Sequence, residues 1–159
     1  MISADLTGKR TIVTGGASGI GLGVVRTFAQ NGSTVAIADL AGDRIGESAR
    51  TLVDEGFDVF AAPCDLRDND SVVSMVELAV ERMGGIDYLL NIAGHPVTLT
   101  AIPASDLESQ SEELWSEVLS INLMSAFRTA KAAAPFLRES KGAIVNTSSM
   151  SGWRGGGSS

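Results

Sequence analysis

Five short apolar runs, Thr11–Thr14, Thr34–Ala38, Asp58–Ala61, Asp87–Leu90 and Ala143–Asn146, alternate along the chain with longer segments of helical spacing. Those segments are Ile20–Gln30, Asp43–Glu55, Ser71–Met83 and a long one from about Glu112 to Arg138. A strand that reads as a continuous apolar run, not as an apolar–polar alternation, has both of its faces covered. When such strands alternate with helices, the arrangement that buries them all is a parallel sheet with helices on both sides. The expectation is an α/β, doubly wound parallel sheet.

Punctuation supports the division. Asn31-Gly32, Gly56 and Gly84-Gly85 follow the first three helical segments, where a left-handed C-terminal residue is favoured. Residues His95 to Ser111, mixed in Pro, Thr, Ser and Asp, read as a loop with room for a short helical turn. No repeat or linker divides the chain, so residues 1–159 read as a single domain, of a size that buries roughly two-thirds of its unfolded surface.

Charge and cysteine content narrow the partners. A formal net charge of -7 repels nucleic acid and anionic membrane surfaces, which leaves small molecules. Cys64 is the only cysteine, so no intramolecular disulfide or cysteine-rich metal site can form, and a reducing, cytoplasmic setting fits. No His/Cys/Asp constellation predicts a metal. Met1 to Arg10 has no apolar signal core, and no run approaches the roughly 18 apolar residues of a membrane span.

The first strand runs into Thr14-Gly15-Gly16-Ala17-Ser18-Gly19-Ile20-Gly21, within which a helix begins. Glycines let the backbone approach a phosphate closely, and a helix N-terminus offers unpaired N–H groups and partial positive charge, so a diphosphate fits there. The second strand ends at Asp39, where a carboxylate accepts hydrogen bonds from both hydroxyls of an adenosine ribose. It would repel a 2′-phosphate by about 1 kcal/mol at roughly 4 Å in water and about 4 kcal/mol at a protein surface, so NAD is favoured over NADP. Arg44 is the residue that softens this preference. The third strand leads to Cys64-Asp65-Leu66 and the fourth to Asn91-Ile92-Ala93-Gly94. Every candidate falls at the carboxyl end of a strand, the edge of an open parallel sheet where ligands bind.

These residues together resemble the short-chain dehydrogenases/reductases, from about Leu6 to Ser159. Thr14 to Gly21 looks like that family's TGxxxGIG motif, and Asn91, Ala93 and Gly94 match its NNAG motif, with Ile92 replacing the second asparagine. The resemblance implies a Rossmann-type sheet of strand order 3-2-1-4-5. It also implies cofactor contacts from Thr14, Gly15, Ala17, Ser18, Gly19, Ile20, Gly21, Asp39, Asp65, Leu66, Asn91, Ala93 and Gly94, with Asp65 at the adenine amino group. Asn122 resembles the asparagine whose backbone carbonyl holds a water in the family's proton relay. Ser149 matches the serine that hydrogen-bonds the substrate oxygen, although its neighbours Ser148 and Ser151 leave the choice open.

Other residues carry less. His95, the only histidine, either borders the cleft or faces solvent, and Trp153 and Arg154 fall where the family's substrate loop begins. Trp115, Val118 and Leu119 read as helix packing, and Glu112-Glu113 as a first turn where negative charge is favoured. The family's catalytic Tyr-x-x-x-Lys pair is expected beyond Ser159, since Tyr88 is the sole tyrosine and lies within the fourth strand. A chain ending there would leave the fifth strand with an open apolar edge, so the expectation is the N-terminal part of a longer single-domain enzyme. The implied activity is interconversion of a small-molecule alcohol and carbonyl with NAD, in a homo-oligomer, commonly a tetramer, built on the long helix. The competing readings are a non-catalytic dinucleotide-binding or redox-sensing module and an S-adenosylmethionine-dependent methyltransferase.

Overall fold

The computed structural model describes residues 4–40, 42–98, 102–103 and 106–150. The element order is β1 (Arg10–Thr14), α1 (Gly19–Gln30), β2 (Thr34–Asp39), α2 (Asp43–Asp54), β3 (Val59–Pro63), α3 (Asn69–Met83), β4 (Tyr88–Asn91), α4 (Glu112–Leu119), a π turn (Ser120–Met124), α5 (Ser125–Ser140) and β5 (Ala143–Asn146). All strand pairs are parallel, in the order β3-β2-β1-β4-β5. This is the predicted topology, and each predicted strand lies within a residue or two of its observed bounds.

Successive residues of the central strands face opposite sides, as the pleat requires. Ile12 joins Met75, Val76, Leu89 and Leu137 in a core beneath α3 and α5. Its neighbour Val13 joins Val25, Ile37, Ile45 and Leu52 in a second core beneath α1 and α2. Two cores back to back explain why β1 and β2 read as unbroken apolar runs.

Helix ends follow local chemistry. Asp68 caps α3 by accepting from the backbone N–H groups of Asp70 and Ser71, and Gly84 ends it in the left-handed conformation. Ser111 caps α4 by accepting from Leu114 N, with Glu112 and Glu113 in its first turn as expected. The anticipated long helix is interrupted by the π turn, within which Asn122 sits. Expected packing of Trp115, Val118 and Leu119 is corrected here: no residue of α4 is buried, and Trp115 and Leu119 are exposed. The reason is position, since Glu117 and Ile121 line a cleft at the sheet's carboxyl edge and α4 does not lie over the strands.

β5 pairs with β4, yet all four of its residues are exposed. No helix among the described residues is long and apolar enough to cross a membrane.

Candidate functional site

A cleft of about 610 Å³ opens at the carboxyl ends of β1, β2, β3 and β4. One wall is the start of α1. Ser18, its N-cap, makes no side-chain capping bond, so the first N–H groups of the helix are left for other partners. Two glycines make the close packing possible. A Cβ on Gly15, whose φ is 67°, would lie 2.8 Å from the Ala93 Cα, and one on Gly21 would fall on the Gly15 carbonyl. Ser18, Gly19, Ile20 and Gly21 line the cleft, and Ile20 is 76% exposed at its rim.

Asp39 stands opposite, at the end of β2. Its Oδ2 accepts the Ala17 N–H at 3.0 Å and its Oδ1 accepts the Leu40 N–H at 2.9 Å, so the carboxylate also braces the glycine-rich turn. The Arg44 guanidinium lies 3.8 Å away. At the end of β3, Asp65 and Leu66 reach the cleft together with Arg67. Arg67 donates to Asp65 Oδ1 from Nε at 3.0 Å and to Oδ2 from Nη2 at 2.7 Å. These bonds hold the Asp65 carboxyl below its usual range. Cys64 also lines the cleft, but burial pushes its thiol up to about 11, which leaves it protonated near neutrality.

Ala93 and Gly94 form the wall facing α1. Thr14, Ala17 and Asn91, expected in the same set, are buried behind it. Thr14 Oγ1 accepts the backbone N–H groups of Ile92 and Ala93, so the bend after β4 needs no side chain from Ile92. Asn91 donates from Nδ2 to Asn146 Oδ1 at 2.8 Å and accepts from Thr129 Oγ1 at 2.8 Å, tying β4 to β5 and α5. Among the described residues no buried side-chain polar atom lacks a partner, and no group of three His, Cys, Asp or Glu could hold a metal.

The Asn122 side chain ties the π turn to the loop after β4. Its Oδ1 accepts the His95 N–H at 3.0 Å, and its Nδ2 donates to the carbonyls of His95 and Val118. His95 and Val97 line the cleft. Thr147 does too, while Ser148 and Ser149 follow it in an exposed loop. Ser151, Trp153 and Arg154 lie outside the described residues.

Arg67, Glu117 and Thr147 line the cleft without having been anticipated. Arg67 could have been found from its place just past a strand end. Glu117 carries no such signal, because only the tertiary placement of α4 brings it there.

The cleft therefore has the parts a dinucleotide needs: an uncapped helix start, a backbone cradle that a side chain would fill, and acid–arginine pairs after β2 and β3. Residues 9–158 match the short chain dehydrogenase family. The chain is 37% identical over 151 residues to the sorbose reductase sou1 of Schizosaccharomyces pombe, covering 93% of this chain and 57% of that protein. It is 35% identical to the xanthoxin dehydrogenase of Arabidopsis thaliana, covering 97% and 54%. Against the 3-oxoacyl-[acyl-carrier-protein] reductase FabG of Chlamydia trachomatis the identity is 36%, covering 97% and 60%. The crystal structure of gox2181 superposes with a TM-score of 0.87 at 34% identity, over 94% of this chain and 57% of that one. A short chain dehydrogenase from Mycobacterium smegmatis gives 0.85 at 34% identity, over 96% and 63%. The chain thus spans a little over half the length of the curated relatives it matches.

Proposed function

The chain belongs to the short-chain dehydrogenase/reductase family, and from that premise we propose that it binds NAD, in preference to NADP, as part of an oxidoreductase interconverting an alcohol and a carbonyl. The observation that carries this reading is the uncapped start of α1, packed through Gly21 against Gly15 and, through Gly15, against Ala93, and facing Asp39 across the cleft. When bound, the nicotinamide accepts or delivers the hydride.

The residues of the chain have separate tasks in this reading. Backbone N–H groups at Ser18–Gly21 hold the diphosphate, with the helix dipole adding to the attraction. Asp39 receives the adenosine ribose hydroxyls while keeping its bond to Ala17, since an ionised carboxylate has acceptor sites to spare. Asp65 receives the adenine amino group alongside Arg67. Ser149 orients the substrate oxygen, and the Asn122 backbone carbonyl holds the water through which a proton leaves. Support for a homo-oligomer comes from Trp115, Leu119, Leu123 and Phe127, which recur at every fourth position and are 57%, 44%, 60% and 58% exposed.

Asp39→Asn tests the cofactor assignment. The amide keeps an acceptor for the Ala17 N–H but removes the charge. Calorimetric titrations should give NAD about tenfold tighter than NADP in the parent chain, a discrimination reduced by the neighbouring Arg44, and near-equal affinities in the variant. An unchanged ratio contradicts the ribose assignment.

A further inference from the structure

The wall between β4 and the loop that follows contains a backbone conformation that its sequence disfavours. Val97 has φ 69°, in the left-handed region that β-branched residues avoid. Pro96 precedes it, and a proline followed by positive φ is the pattern of a type II turn, in which glycine is the usual second residue. Something must hold valine there.

The holder is His95. Its Nδ1 accepts the Val97 N–H at 2.8 Å, so that nitrogen carries a lone pair and the neutral ring keeps its proton on Nε2. His95 is itself gripped at both ends of its backbone by the Asn122 amide, at 3.0 and 2.8 Å. The π turn is thus linked through Asn122 to His95, and through the imidazole to Val97, with His95 and Val97 both on the cleft wall. Glu117 from α4, Asp65 and Arg67 from the loop after β3, and Asp39 and Arg44 after β2 are the charged residues that share this cleft.

We propose that His95 is a positioning residue for the cleft: as a neutral imidazole it holds the Val97 amide and fixes the wall of residues 95–97, and uptake of a second proton releases that wall. The bond admits only one protonation state, because a protonated Nδ1 donates and cannot accept. A doubly protonated ring therefore has no acceptor for the Val97 N–H, and the wall loses the bond that holds it. The proposal rests on the dinucleotide reading only for the choice of ligand.

His95 is the sole histidine, so its ring nitrogens give a single set of signals in the ¹⁵N-labelled chain. At about pH 8 the expected result is the Nε2–H tautomer with a scalar coupling from Nδ1 to the Val97 amide, lost at about pH 5. An Nδ1–H tautomer, or a Val97 amide that ignores the imidazole titration, overturns the proposal. Two variants supply the functional readout. His95→Asn places an acceptor where Nδ1 lies but does not titrate, whereas His95→Gln places its amide where Nε2 lies. By calorimetry at about pH 8, His95→Asn should bind NAD within about twofold of the parent and His95→Gln roughly three- to tenfold more weakly. At about pH 5 the parent should weaken by a similar factor and His95→Asn should not. Equal behaviour of the two variants overturns the proposal. If the coupling is seen but no form binds NAD, the His95 strut stands and the dinucleotide reading falls.

Discussion

Asp65 and Arg67 line the cleft after β3 as a two-point ion pair, Arg67 donating to both carboxylate oxygens. The pair holds the Asp65 pKa below the ordinary range near 4, chiefly through those hydrogen bonds. Arg67→Ala should return the Asp65 pKa toward that range, and a carbon-detected titration of its carboxyl reads the shift directly. NAD binding should then begin to weaken at a higher pH than in the parent chain. Gly15 gives a second test at the same scale. Gly15→Ala forces a side chain onto the Ala93 backbone at positive φ, so we expect a loss of about 3 kcal/mol in a denaturant titration and loss of dinucleotide binding. Of the thirteen residues expected at the cofactor, Thr14, Ala17 and Asn91 are buried and the other ten line the cleft. Strand-end position predicts nearness to a ligand but not which way a side chain faces, because the pleat turns alternate residues inward.

The elements carry a different kind of constraint, the register between β1 and β4. Arg10 donates from its backbone N–H and its Nε to Asp87 Oδ2, at 3.0 and 2.7 Å, and from Nη1 to the Gly84 carbonyl at 2.8 Å. This cluster lies at the amino end of the strands, away from the cleft, and fixes the alignment that brings Thr14 beside Asn91. Its Arg10 bonds hold the Asp87 carboxyl below its usual value. A depressed folded-state pKa adds stability above the unfolded value near 4, and that stability is lost as pH falls through the folded value. Asp87→Asn should cost about 2 kcal/mol at neutral pH in urea titrations, and the difference from the parent should shrink in acid. Strand and helix positions were legible because apolar periodicity and glycine stops are local signals. The π turn was not. Asn122 reads as a polar residue in a helix until the backbone shows it gripping His95, a contact across 27 positions of sequence. The exposure of α4 was hidden for a related reason: Trp115 and Leu119 look like core until the sheet is seen to lie elsewhere.

At the scale of the whole molecule, the net charge of -7 and the cleft pull in opposite directions. Arg44 and Arg67 face Asp39 and Asp65, and Glu117 adds a third carboxylate to the cleft, so it is the uncapped start of α1 that offers partial positive charge to the proposed anionic ligand, while the net charge repels nucleic acid. The exposed apolar row of Trp115, Leu119, Leu123 and Phe127 is the surface on which the proposed oligomer is tested. Leu123→Glu should lower the sedimentation coefficient toward that of a monomer while leaving NAD affinity in place. Order β3-β2-β1-β4-β5 matches what the family resemblance implies, whereas the identity of the proposed substrate has no counterpart in the cleft residues described. Whether the cleft holds NAD is read by calorimetric titration of this 159-residue chain with NAD, with S-adenosylmethionine as comparator. The expected result is one NAD per chain with a dissociation constant between about 1 μM and 1 mM, and no heat from S-adenosylmethionine. A chain that shows folded circular dichroism yet gives no heat with NAD, or binds S-adenosylmethionine instead, contradicts it.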